Sequence, residues 1–137
     1  MNAYIDPSVV LRVVLGEPDP APAWPMIDVA VSSELVRVEC LRTIDRARLH
    51  GRLTDEVVAR QRAAVLDIID RFDLVPVTAS ILERASEPFP TSIGSLDAIH
   101  LASALAIRDA YGGLAFLTHD RGLAIAARAM GFEVEGA

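Results

Sequence analysis

The chain has 137 residues, 52% of them hydrophobic, which is enough for one domain over residues 1–137 and too apolar for a disordered tail. Its net charge of −6 argues against broad, nonspecific nucleic-acid binding, while the single Cys40 excludes an internal disulfide and a cysteine-built zinc site and suits a reducing cytoplasm. The start has no basic leader, Asp6 and Arg12 interrupt its apolar run, and no other run approaches the ~18 residues of a span, so neither signal peptide nor membrane segment is expected.

Residues Asn2 to Ile5 read as a short strand running into Asp6. Pro7 favours extended backbone at Asp6 and suits the first turn of a helix, predicted from Pro7 to about Leu15. Gly16 to Pro25 is turn-rich, with four prolines that forbid a long helix. Asp28 to Val31 is a second short strand. Ser33 looks like the N-cap of an amphipathic helix reaching about Leu49, and His50-Gly51 ends it. Thr54 caps a second long helix with an apolar stripe through Val58, Val65, Leu66 and Ile69. Asp73 to Val77 is a strand, Thr78 opens a short helix to about Ser86, and Pro88 to Gly94 is a loop. Ser95 should cap a helix over Leu96 to Ala110 that is apolar nearly all round and therefore deeply buried. Gly112-Gly113 breaks it. A strand from Ala115 to Leu117, a helix from Arg121 to Met130 and a strand from Phe132 to Val134 complete the chain. Strands alternating with helices predict an α/β fold with a parallel sheet covered on both faces, whose ligands bind beyond the carboxyl ends of the strands.

Charge is unevenly placed. Between Arg37 and Arg62 stand seven arginines against four acids, so this helical stretch is basic within an acidic chain. It could guide an RNA backbone, form a dimer surface or simply be a solvated face. Arg46, Arg48 and Arg52 are the candidate RNA contacts. The absence of lysine fits GC-rich coding and has no functional weight.

Four acids lie beside or inside apolar stretches, where an unpaired charge is expensive: Asp6, Glu39, Asp97 and Asp120. Each has a plain alternative. Asp6 and Asp120 both follow a strand and open a helix, so either could be an N-cap. Ser8 could cap the first helix or hydrogen-bond a metal-bound water, and Thr118 and His119 could contact an ion or phosphate. Glu39 falls at the margin of the apolar face formed by Val36, Cys40, Ile44 and Ala47, and could pair with Arg42. Asp97 sits in the first turn of the most apolar helix, where the helix dipole explains why an acid is tolerated but not why one is needed. His100, three residues on, could be a ligand, but reads better as a core histidine bonded to backbone. Together the acids would converge on one edge of the sheet. Hard oxygen donors suit Mg²⁺ or Mn²⁺, ions that catalyse in-line attack on phosphodiesters and let an acidic pocket accept a polyanion.

The segments YIDPSVVLRVVLGEP, SSELVRVECLR, SLDAIHLASAL and LTHDRGLAIAARAMGFEV, in this order and spacing, resemble the PIN-domain nucleases, and among them the VapC-type toxins of bacterial type II toxin–antitoxin pairs. The resemblance implies a three-layer α/β/α fold with a central parallel sheet. It implies a Mg²⁺- or Mn²⁺-dependent endoribonuclease, with Asp6, Glu39, Asp97 and Asp120 holding the metal directly or through water, and Ser8 and Thr118 in support. A homodimer, and silencing by a small cognate antitoxin whose tail covers the acidic pocket, are likewise implied. Pro7 departs from the family, which more often has Thr or Ser there, removing a hydroxyl and an N–H next to Asp6; the fold should tolerate it.

Two other readings compete. One is a PIN-like module that binds RNA or protein without cutting, for which four clustered acids have no purpose. The other is a phosphatase of the haloacid dehalogenase type, which wants an Asp two residues after the nucleophile, where this chain has Ser8, and a lysine, which it lacks. Trp24 reads as a satellite hydrophobic anchor or a surface for an antitoxin helix.

Overall fold

A computed structural model describes residues Met1 to Ala137. Its strands are β1 (Asn2–Ile5), β2 (Val29–Ser33), β3 (Asp73–Val75), β4 (Ala115–Leu117) and β5 (Val134–Glu135). Its helices are α1 (Pro7–Val14), α2 (Leu35–Leu49), α3 (Asp55–Ile69), α4 (Ala79–Ser86), α5 (Ser95–Ile107) and α6 (Arg121–Ala129). All four strand pairings are parallel, in the order β3-β2-β1-β4-β5. The chain therefore winds outward from β1 in one direction and returns to fill the other side. The switch point lies between β1 and β4, where Asp6 N–H bonds to Leu117 O at 3.0 Å and continues the ladder past the strand ends.

The three-layer architecture expected from the sequence is present, and strand alternation explains it. Ala3, Ile5, Ala115 and Leu117 face one way and pack against Val9 and Val10 of α1, Val36, Cys40 and Ile44 of α2, and Val65 and Ile69 of α3. Tyr4, Val31 and Phe116 face the other way and meet Ile81 of α4, Leu101 of α5 and Leu123 of α6. The Tyr4 ring stacks on Phe116 at 5.2 Å, and Phe116 meets Phe132 at 5.6 Å. No helix is long and apolar enough to cross a membrane.

Several boundaries differ from the sequence reading. β2 runs to Ser33, because Ser32 Oγ donates to Ile5 O at 2.7 Å and both serines are buried in the sheet. Ser33 is thus not the residue that caps α2, although its hydroxyl accepts from Leu35 N–H at 3.1 Å; the helix starts two residues later than the expected cap. β3 stops at Val75. The Val77 N–H instead donates to Glu34 Oε1 at 2.8 Å. Ser95 is the first residue of α5 and not its cap; Gly94 stands at the cap, without a side chain to accept. α5 ends at Ile107, followed by a 3-10 turn over Asp109–Tyr111. Phe132 precedes the last strand and fills the core from the turn, so β5 begins two residues late. Leu66 lies on the outer face of α3, and Ile68 packs inward instead. Thr54 and Thr78 do cap α3 and α4, accepting from Val57 N–H and Ile81 N–H, each at 3.3 Å.

Candidate active site

Asp6 stands where β1 ends and α1 begins, and it is both an N-cap and a buried carboxylate. Its Oδ2 accepts from Ser8 N–H at 3.2 Å, from Ser8 Oγ at 2.5 Å and from Thr118 Oγ1 at 3.1 Å. Asp6 is 5% exposed, and burial pushes its carboxyl above the usual range. The Ser8 bonds, nearby His100 and Thr118 oppose that shift. Pro7 occupies the first helical position, as its fixed φ and missing N–H allow.

The β4–α6 junction repeats this construction. Asp120 caps α6, its Oδ1 accepting from Leu123 N–H at 2.9 Å. Thr118 Oγ1, fully buried, also accepts from Asp120 N–H at 3.0 Å, so one hydroxyl ties Asp6 to the Asp120 turn. Ser8 Oγ accepts from His119 N–H at 3.0 Å, closing the link between the two strand ends. The His119 ring donates from Nδ1 to Gly136 O at 2.6 Å, pinning the last residues against the site. Gly136 has φ +101°, and a Cβ there would sit 2.6 Å from Thr118 O. Gly136→Ala is therefore expected to cost about 1–3 kcal/mol and displace β5, read as a lower Tm in thermal unfolding.

Asp97 is the most telling of the four. It lies in the first turn of α5, half-buried, and its side chain makes no hydrogen bond within the protein. Burial raises its carboxyl to about 6, helped by the charges of Asp120, Asp6 and Glu39 and opposed by His100. Asp120, Asp6 and Glu39, from three other segments, thus lie near enough to Asp97 for their charges to act on it. Glu39, from α2, does not pair with Arg42, which holds Asp45 at 3.0 Å instead. Glu39 Oε1 accepts from His100 Nε2 at 2.6 Å, and His100 Nδ1 lies 2.7 Å from the Tyr4 hydroxyl. His100 is thus a fully buried histidine, but its partners are two side chains and not the backbone. Sequence reasoning missed Tyr4 entirely.

The donor set suits a hard divalent cation. Each acid keeps at least one oxygen without a protein partner: Asp6 Oδ1, Glu39 Oε2, Asp120 Oδ2 and both oxygens of Asp97. No three His, Cys, Asp or Glu side chains form a ready-made ligand cage. Mg²⁺ typically keeps several waters and takes one or two carboxylates directly. Cys40, on the buried face of α2, has its thiol pushed up to about 12 by burial and by Glu39 and Asp6, and is no donor.

Other predicted residues lie apart. Arg46, Arg48 and Arg52 are exposed around the end of α2, and Arg48 is held by Asp45 at 2.8 Å while Arg46 and Arg52 have no acid partner. Trp24 packs against the α1–α3 core and lines a cavity of about 360 Å³ with Ile27, Asp28 and Phe72. That cavity lies by the amino ends of β2 and β3, at the opposite end of the sheet from the acids.

The PIN domain family model matches residues 3–129. The chain is 30% identical over 136 residues to a protein named Ribonuclease VapC47, from Mycobacterium tuberculosis (strain CDC 1551 / Oshkosh), covering 94% of this chain and 92% of that one. Its fold is similar to a chain of a toxin–antitoxin complex from Klebsiella pneumoniae, with a TM-score of 0.60, 16% identity, and 90% and 91% of the two chains covered.

Proposed function

The chain belongs to the PIN-domain family, within its VapC type, and we propose that it is the toxin of a toxin–antitoxin pair, an endoribonuclease dependent on Mg²⁺ or Mn²⁺. One observation supports this above the others: Asp6, Glu39, Asp97 and Asp120 converge at the switch point of a parallel sheet with free oxygens. The similarity to a protein named as a ribonuclease agrees with it. When bound, the cation neutralises phosphate charge and makes water a better nucleophile.

The chain's own residues divide the remaining work. Ser8 and Thr118 hold one oxygen of Asp6 and leave the other for the ligand. The cap bond does the same for Asp120. Asp97, half-buried beside the other acids and with both oxygens free, is available to orient water or ligand. The raised carboxyls of Asp6 and Asp97 give the site a standing preference for positive charge, which a cation would satisfy. Arg46, Arg48 and Arg52 are proposed to guide the RNA backbone; the exposed Arg48–Asp45 pair is weak enough to yield to phosphate. A small antitoxin presenting an arginine to the acids would compete with the metal. The protein is proposed to act in the cytoplasm as a homodimer.

Expression of the chain alone is expected to arrest growth, and co-expression of the small protein encoded beside it to restore growth and to co-purify. Normal growth with soluble chain and no partner would count against a toxin and favour the non-cleaving binding module.

A further inference from the structure

Resting on the nuclease reading above, we propose that His100 is a positioning residue for cleavage: it fixes the Glu39 carboxylate and is itself fixed by the Tyr4 hydroxyl. The imidazole is fully buried, yet neither nitrogen bonds to backbone, the usual way of satisfying a packing histidine. Both are committed to side chains from distant segments, Nε2 to Glu39 at 2.6 Å and Nδ1 to Tyr4 at 2.7 Å. A carboxylate only accepts, so Nε2 bears a hydrogen toward Glu39, and Nδ1 shares a second hydrogen bond with the Tyr4 hydroxyl, which can donate or accept.

The three residues come from β1, α5 and α2, so the chain of bonds crosses from one helical layer over the sheet edge to the other. Its inner end is rigid. Tyr4 is fully buried, stacks on Phe116 at 5.2 Å and meets the His100 ring edge-on at 5.9 Å. Its outer end is not rigid by itself. Glu39 is a long side chain, 23% exposed, with no other side-chain partner. Left alone it would sample several rotamers, at a cost in placement each time the site forms. His100 removes that freedom by holding Glu39 Oε1 and leaves Oε2 without a protein partner. Partners of this kind typically account for 10- to 100-fold in affinity or activity.

Two isosteric variants separate orientation from packing. The amide nitrogen of Gln falls near Nε2 of His, and the amide group of Asn falls near Nδ1, where its oxygen can accept from the Tyr4 hydroxyl or its nitrogen donate to it. His100→Gln keeps the donor to Glu39 and is expected to retain cleavage of pooled cellular RNA within about 3-fold. His100→Asn keeps only the Tyr4 side and is expected to lose about 10- to 100-fold, with Tm within a few degrees of His100→Gln. In a Glu39→Gln background the His100→Asn effect should shrink to under about 3-fold. Equal losses in both backgrounds, or equal losses for Gln and Asn, would make His100 structural. A readout independent of metal and activity is the ¹H–¹⁵N spectrum of the imidazoles. The His100 Nε2–H should be held in the wild type and released by Glu39→Ala and by Tyr4→Phe, which removes only a hydroxyl. Resonances indifferent to both changes would overturn the proposal alone. A locked imidazole in a wild type that cuts no RNA would overturn the nuclease reading and, with it, the catalytic part of this role.

Discussion

Asp97→Asn is expected to abolish RNA cleavage while leaving the protein as stable as the wild type, or about 1–2 kcal/mol more stable at neutral pH. The carboxyl is half-buried, raised from 3.8 to about 6, and unbonded, so the charge is a cost to the metal-free fold. The full shift would correspond to about 3 kcal/mol, and the smaller figure allows for solvent screening of a partly exposed group. The sign of the pH dependence follows. A raised folded-state carboxyl contributes stability below pH 3.8 and loses that contribution as pH rises through about 6. Thermal unfolding of metal-free wild type should therefore show a decline over that window that the variant lacks. A large drop in Tm for Asp97→Asn would instead make Asp97 a structural residue.

Mg²⁺ or Mn²⁺ is expected to raise the melting temperature, because on the proposed reading the acids brought together by folding would bind the ion and the dispersed acids of the unfolded chain would not. At a hundredfold excess over Kd the gain is about 2.7 kcal/mol, on the order of 5–10 °C for a domain of this size. EDTA should reverse it, and Asp6→Asn should diminish it. The same variant keeps an acceptor for the Ser8 and Thr118 bonds, so loss of the metal response would not be a loss of the turn. No shift at millimolar metal would contradict the assignment of the acids as ligands.

The site was legible in the sequence to the extent that it depends on local grammar. Asp6 and Asp120 each close an apolar strand and open a helix, and the parallel sheet brings such positions together. Asp97 stood out because an acid in an apolar helix needs a reason. The positions of Ser33 and Ser95 were misread because a serine before an apolar run resembles a cap, whereas the sheet engages Ser32 and Ser33 and leaves the start of α5 to Gly94. The Glu39–His100–Tyr4 connection had no local signal at all. Its members are 61 and 96 residues apart in the two bonds, and only the packing of α2 and α5 around β1 joins them. Leu66 was misplaced for a related reason: α3 packs along a narrow seam, so an apolar residue one position away from Val65 already faces solvent.

Incubation of the purified, partner-free chain with total RNA, with Mn²⁺ or Mg²⁺ and with EDTA, beside Asp97→Asn purified identically, tests the central claim most directly. The account predicts discrete fragments that form only with metal and vanish in the variant. RNA left intact by the metal-loaded wild type, or cut equally by wild type and variant, would contradict it.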